Sequence, residues 1–367
     1  MKIGIDAKWF FIGNPSGKVV IQNIVKEIIE LRTNHELYIF LRKEDRNKYF
    51  PYSAPNVHLI YIWVGNNMLS NLFVFPLIAR SLKLDVVFFQ TFVPFFAYRN
   101  SVVFIYDCIH LTNPEYFSLA ERLYYYPIKY LARIAKRIIT ISESEKQRIV
   151  TKMNIDESLV SVAHCGVSEE YVPLANSTNE KIKAVIEKYK LPEKYLLYVG
   201  RLNTRKNLLN LVKAVSLLEN KDIPILFVGI KDYSTREIEE AIDRYGLKDR
   251  VLFLGYVEGA DLPHIYALAK VFCYVSFDEG FGMPPLEAMS CGVPVVVANT
   301  GSLPEICGND GCYIDPNSPK DIALKIDHLL SDNNYYNEMK EKSMRNAKRF
   351  HWRKSAKIIL DVLQKSE

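Results

Sequence analysis

The chain has 367 residues, 49% of them hydrophobic and 24% charged, with a net charge of +5. Such a length predicts about two domains, and the composition excludes long disorder and collagen-like repeats. Residues 1–175 hold 20 Lys+Arg against 16 Asp+Glu, too mild a surplus for a nucleic-acid binder but suited to an anionic ligand or an anionic membrane surface. Six cysteines without a Cys-x-x-Cys pair argue against a disulfide scaffold or a structural zinc, and read as reduced, buried thiols of a cytoplasmic protein.

Taken in chain order, short β-branched or aromatic runs alternate with amphipathic stretches. Strands are expected at 2–5, 36–41, 57–62, 85–89, 101–106 and 137–141, with helices at 17–31, 68–82 and 119–136. Residues 49–79 contain no Asp, Glu, Lys or Arg, yet Pro51, Pro55, the turn Gly65-Asn66-Asn67 and Pro76 break the run before it reaches the about 20 apolar residues of a spanning helix. The second half repeats the pattern, with strands at 195–200, 225–229, 251–255, 271–276 and 293–298 and helices at 208–218 and 235–245. Continuous runs such as Val86-Val87-Phe88-Phe89 are those of strands covered on both faces. The predicted fold class is therefore α/β, two Rossmann-like domains with parallel sheets facing a central cleft. The turn-rich stretch 173–179 is placed as the linker, giving domains 1–172 and 173–349 and a tail at 350–367.

Four segments carry chemistry. In Glu279-Gly280-Phe281-Gly282-Met283-Pro284-Pro285-Leu286-Glu287 two glycines allow close backbone approach and two prolines open a helix whose free N–H groups suit phosphate. Glu279 in the loop and Glu287 inside the helix are acceptors placed for opposite ends of one bound molecule. A reading of Glu287 as a mere cap is less economical for the whole run. Arg201 and Lys206, in Gly200-Arg201-Leu202-Asn203-Thr204-Arg205-Lys206-Asn207, read equally as a diphosphate cradle or a solvated basic turn. Gly13-Asn14-Pro15-Ser16-Gly17 reads equally as a phosphate loop or as a turn with a helix cap. Tyr106-Asp107-Cys108-Ile109-His110 ends an apolar strand: Asp107 or His110 could orient an acceptor, although a packed loop histidine is the preferred reading of His110. Ser142 reads first as an N-cap. The segment 121–137, rich in tyrosine and basic residues, reads as an amphipathic helix packed on the sheet with snorkelling cations, in preference to a helix lying on an anionic membrane.

These segments together resemble the family-4 retaining glycosyltransferases of the GT-B fold. The run from Glu279 to Glu287 is similar to their E-x7-E motif, Ser290-Cys291-Gly292-Val293-Pro294 to its continuation, and Gly200-Arg201 with Lys206-Asn207 to their basic donor loop. Asp107 with Pro114-Glu115-Tyr116, and 139–143, resemble their N-terminal domain; Phe350-His351-Trp352 resembles the approach to a last helix that crosses back to it. The resemblance implies a hexosyltransferase acting on a nucleotide-diphosphate sugar with retention and without a metal or other cofactor. Glu287 would bind the ribose. Glu279 would contact the donor sugar, with backbone at Phe281, Gly282 and Met283. Arg201 and Lys206 would hold the diphosphate, with Asp107 completing the catalytic set, and Gly17 would border the donor phosphate. Tyr106 stands where members often have histidine, and with Asp107 and His110 forms the acceptor side.

The resemblance favours GDP-mannose as donor, with UDP-sugars open, and a glycan or lipid-linked saccharide as acceptor. No nucleic acid is expected. Peripheral contact at the inner face of the cell membrane is a further expectation. Competing readings are a nucleotide-sugar epimerase of the same fold and a non-catalytic nucleotide-sugar binder.

Overall fold

A computed structural model of the chain describes residues 1–63, 66–94, 100–176, 178–230 and 236–367. Gly65 of the expected turn, Ser177 of the expected linker and Thr235 of the expected helix lie outside the described residues. The chain forms two compact units, Met1–Gly166 with His351–Glu367, and Val167–Phe350.

The first unit holds a parallel sheet of β1 (Lys2–Asp6), β2 (Glu36–Arg42), β3 (Val57–Ile62), β4 (Val86–Gln90), β5 (Ser101–Ile105), β6 (Arg137–Thr140) and β7 (Val160–Val162), in the order β3-β2-β1-β4-β5-β6-β7. Strands β4 and β5 are buried at every residue, as their unbroken apolar runs require. The chain reverses its direction of travel between β1 and β4, so the carboxyl ends of these two strands form the switch point where such sheets bind ligands.

The second unit repeats the plan with β8 (Leu196–Val199), β9 (Ile225–Val228), β10 (Val251–Gly255), β11 (Val271–Tyr274), β12 (Val295–Ala298) and β13 (Cys312–Ile314), in the parallel order β10-β9-β8-β11-β12-β13. Its switch point lies between β8 and β11.

The edge strands β7 and β13 have three residues each and were not expected. Such lengths are too short to show a periodicity. Two expected helices are interrupted. Within 68–82 the chain takes a π-helical turn over Ser70–Val74 between Asn67–Leu69 and Phe75–Ser81. Within 119–136 it breaks into Leu119–Tyr125 and Ile128–Leu131, because Pro127 has no N–H to continue the ladder. Ser142 does cap the helix Glu143–Met153, accepting from the Glu145 N–H at 3.0 Å.

The boundary between units falls before the turn-rich stretch 173–179. Residues 167–172 go with the second unit because Tyr171 packs there: its ring lies 5.7 Å from that of Tyr266, and its carbonyl accepts from Ser290 Oγ at 2.7 Å. The last helix, Trp352–Gln364, packs along Pro15–Glu30 in the first unit. Ala356, Ile359 and Leu363 of that helix are fully or nearly fully buried, and Ser355 donates to the His164 carbonyl. A Cβ on Gly166 would lie 2.2 Å from the Trp352 nitrogen, so only glycine admits the helix start. All six cysteines are buried free thiols.

Candidate active site

The second unit builds its site at the ends of β8 and β11. After β8 the chain makes a tight turn, Thr204–Lys206, closed by Asn207 in the left-handed region at φ 59°. Asn207 Nδ2 donates to the carbonyls of Val275 at 3.0 Å and Pro316 at 2.6 Å, tying this turn to the β11 loop. The turn carries two cations inward. Lys206 Nζ donates to Glu279 Oε1 at 2.6 Å and to the Tyr274 hydroxyl at 2.6 Å. Arg205 donates to Glu279 Oε2 at 3.0 Å and to the Asp278 carbonyl. Lys206 and Glu279 are both buried.

Burial alone would push the Glu279 carboxyl up. Arg205 and Lys206, with the hydrogen bond from Lys206, outweigh it and hold the group at about 2. Glu279 is therefore a fixed anion throughout the physiological range.

The loop that carries Glu279 is shaped from below. Ser302 Oγ donates to the carbonyls of Glu279 at 3.0 Å and Phe281 at 2.7 Å. A Cβ on Gly301 (φ 55°) would lie 2.5 Å from Asp278 Oδ1 and 2.9 Å from the Glu279 nitrogen. Gly282, at φ 111°, caps the helix Met283–Ser290, and a Cβ there would lie 2.9 Å from Leu303. Backbone N–H groups at the start of this helix have no intrahelical acceptor and form a positive end beside the two cations. Two cations, held by the Glu279 carboxylate, and the N–H groups of a helix start are donors suited to a diphosphate.

Glu287 meets a different environment. It sits on the fifth residue of the helix and accepts from the Tyr266 hydroxyl at 2.8 Å. Burial, reinforced by Glu170 and opposed by hydrogen bonds from Tyr266 and Tyr171, pushes it up to about 7. The two carboxylates are thus driven apart, one permanently charged and one titrating near neutrality.

Of the residues singled out in sequence, Lys206 and Glu279 come together directly. Arg201 lies exposed at the head of the loop, its carbonyl accepting from the Tyr198 hydroxyl at 2.9 Å. The second cation on Glu279 is Arg205, which sequence reasoning passed over. Its only signal was adjacency to Lys206, and the facing is set by the turn, where the Arg205 carbonyl is pinned by the Phe277 N–H at 2.9 Å. Ser302, Tyr171 and Tyr266 were likewise missed.

The first unit places a second polar cluster at the ends of β1, β4 and β5. Lys8 Nζ donates to Asp6 Oδ1 at 2.7 Å and to Asn71. Asn71 Nδ2 donates to Asp6 Oδ2 at 3.0 Å and to the carbonyls of Gln90 and Phe92 at 3.0 and 3.1 Å. Asn71 belongs to the π-helical turn, which explains why the helix departs from regular geometry there. The Tyr106 hydroxyl donates to Gln90 Oε1 at 2.6 Å, and its ring lies 5.6 Å from Trp9. Tyr106 is therefore anchored to the cluster.

Asp107 is partly exposed. His110 is buried beside Tyr125, with ring centroids 5.3 Å apart, and its Nε2 has no hydrogen-bond partner among the described residues. Burial lowers its pKa against the pull of Asp107. Gly17 is buried under Trp9: a Cβ there would lie 2.7 Å from the ring. The absent side chain makes room for Trp9, a packing reason beside any ligand role. Among the described residues no group of three or more His, Cys, Asp or Glu side chains is arranged to hold a metal ion.

Comparison with known proteins adds to this geometry. The profile described as "Glycosyl transferases group 1" matches residues 179–346, and that described as "Glycosyltransferase Family 4" matches residues 18–171. The chain is 33% identical over 260 residues to O-antigen chain mannosyltransferase B of Escherichia coli, covering 69% of this chain and 67% of that protein. It is 29% identical over 279 residues to the serotype-specific mannosyltransferase WbdA of Escherichia coli, which is 73% of this chain but 34% of WbdA, so it spans about a third of that relative. The crystal structure of Anabaena Alr3699/HepE in complex with UDP and glucose superposes with a TM-score of 0.76 at 19% identity, covering 100% of both chains, a likeness of fold.

Proposed function

Because the chain belongs to the family-4 glycosyltransferases, enzymes of the GT-B fold that use nucleotide sugars, we propose that it is a retaining mannosyltransferase. It takes mannose from GDP-mannose and delivers it, without a metal, to a hydroxyl of a glycan or lipid-linked saccharide. The observation that carries the reading is the Lys206–Glu279–Arg205 cluster beside the N-terminus of Met283–Ser290. The leaving diphosphate gathers negative charge as the bond to the anomeric carbon breaks, and Lys206 with Arg201 is placed in sequence to meet it. Electrostatic stabilisation fixed in advance is the largest contribution such a reaction can draw from its enzyme.

Glu279 accepts from donor-sugar hydroxyls while holding Lys206 in place, and Glu287 accepts from the ribose. The names of the two Escherichia coli relatives support mannose as the sugar. In the first unit, Tyr106, Asp107 and His110 are the acceptor-side candidates.

Calorimetry with GDP-mannose, GDP-fucose, UDP-glucose, UDP-galactose and UDP-N-acetylglucosamine, with and without chelator, tests the donor. Tight binding of GDP-mannose in both conditions supports the reading, and preference for a UDP-sugar overturns the donor assignment. Retention is read from the anomeric coupling of the product. Donor conversion without acceptor would point to an epimerase, and donor binding without turnover on any acceptor to a binder.

A further inference from the structure

The chain enters the second unit at Val167, and the first turn it makes there closes on the helix that carries Glu287. The Tyr171 N–H donates to the Ser168 carbonyl at 3.1 Å, and the Tyr171 carbonyl accepts from Ser290 Oγ at 2.7 Å. Ser290 stands three positions beyond Glu287, on the same side of the helix Met283–Ser290. This tie sets Tyr171 beside Glu287, and the Tyr171 hydroxyl donates to the carboxylate. The Tyr171 ring meets that of Tyr266 edge to face, at 5.7 Å and 71°.

Packing accounts for the ring but not for the hydroxyl. Phenylalanine would give the same edge-to-face contact. The hydroxyl goes to a carboxylate that already accepts from the Tyr266 hydroxyl at 2.8 Å. An ionised carboxylate offers about four acceptor positions. Two tyrosines take two of them and fix the plane of the group, which leaves about two for a pair of adjacent hydroxyls such as those of a ribose. Glu287 is not sealed, since part of its surface stays exposed. Lys206 and Arg205 hold Glu279 by pairing its charge, whereas the tyrosines orient Glu287 without a counter-charge. Two further titratable groups stand near it. Glu170, in the same turn as Tyr171, is exposed and adds a like charge; Cys291 follows the helix as a buried thiol.

We infer that Tyr171 is a positioning residue of the donor site: with Tyr266 it orients the Glu287 carboxylate so that its remaining acceptor positions meet the 2′- and 3′-hydroxyls of the nucleotide ribose. The inference rests on the assignment of Glu287 to the ribose. It makes the turn 168–171, which lies more than a hundred positions before the helix in sequence, part of donor recognition.

The test is calorimetry of the intact protein with GDP and with 2′,3′-dideoxy-GDP. The same comparison with UDP and 2′,3′-dideoxy-UDP makes the result independent of the base. Wild type is expected to bind the ribonucleotide about tenfold or more tightly than its dideoxy analogue. Tyr171→Phe is expected to bind the ribonucleotide about fivefold or more weakly and the analogue as wild type does, with an unchanged Tm. A role confined to packing would weaken both ligands alike or neither, and either result overturns the inference. The pH profile gives a second readout. The Tyr171 hydroxyl favours the ionised carboxylate and Glu170 disfavours it, around a value of about 7. The midpoint of ribonucleotide affinity should therefore move to higher pH in Tyr171→Phe and to lower pH in Glu170→Gln. A midpoint that stays in place in Tyr171→Phe also overturns the inference. Wild type that binds neither nucleotide, or binds without regard to the ribose hydroxyls, removes the Glu287 assignment and the inference with it. A ribose preference kept in full by Tyr171→Phe removes the inference alone.

Discussion

Each unit places a buried lysine–carboxylate pair at the carboxyl ends of the first and fourth strands of its sheet. In the first unit Lys8 meets Asp6 and the pair is enclosed, with Asn71 and Gln90 filling the hydrogen-bonding positions around it. Burial lowers the Lys8 pKa and Asp6 opposes that shift. In the second unit Lys206 meets Glu279, but Arg205 joins them and a helix N-terminus adds further positive potential. One lysine has a carboxylate to itself; the other shares its carboxylate with an arginine. A sealed pair fixes a backbone arrangement, whereas two cations that share one carboxylate keep donors an anionic ligand can take up.

The comparison is broken or sharpened by substitution. Lys8→Met leaves Asp6 buried without its partner and should cost about 3–5 kcal/mol, read as a fall in the urea midpoint; adding Asp6→Asn should recover part of it. A loss of turnover out of proportion to the folded fraction would break the distinction, because the first pair would then be acting in the reaction. Glu279→Ala should lower kcat by at least about 10²–10³-fold in an assay of transfer to acceptor, with circular dichroism showing folded protein. Full activity in that variant would remove the site assignment.

Arg205→Gln should raise the Glu279 carboxyl from about 2. A carboxyl held below its usual 4.5 stabilises the fold above that pH and loses the contribution as pH falls toward 2, so the acid-unfolding midpoint should move to higher pH. The loss at neutral pH should be on the order of 1 kcal/mol for each unit the carboxyl rises. Unchanged acid unfolding would mean that Lys206 alone sets Glu279. The smallest effect is expected at Glu287, which titrates at about 7. Its ionised form is the better acceptor, so donor affinity measured by calorimetry should fall severalfold between roughly pH 8 and pH 6. Glu287→Gln should flatten that profile.

Most of the fold was legible because its strands are buried on both faces and therefore read as unbroken apolar runs. What escaped is short or local: β7 and β13 have three residues each, and the π-helical turn at Ser70–Val74 has no pattern of its own in sequence. In the candidate site, motif spacing singles out Glu279, while Lys206 reads equally as part of a diphosphate cradle or of a solvated turn; the structure buries the two together. Arg205 was not legible, because which side chain of a tight turn faces inward depends on the turn, here closed by Asn207 at a positive φ. The Lys8–Asp6–Asn71 cluster was illegible for another reason: Asn71 lies 65 positions from Asp6, and a buried polar contact of that range leaves no local signature. Of the tyrosines on Glu287, Tyr266 is 21 positions away and is brought in only by tertiary packing.

The first unit is assembled from both ends of the chain, since the helix Trp352–Gln364 packs along Pro15–Glu30. On a ribosome, the residues of the second unit emerge as one uninterrupted stretch, over about 10–40 s at ordinary elongation rates. Throughout that interval the first sheet has been synthesised yet lacks the helix that packs along Pro15–Glu30 and against β4. The second unit can close before the first is complete, and the half-covered first unit is the species that chaperones would meet during synthesis. A premature stop just after Phe350 would leave the donor loop intact while stranding that earlier-made unit in its unfinished state.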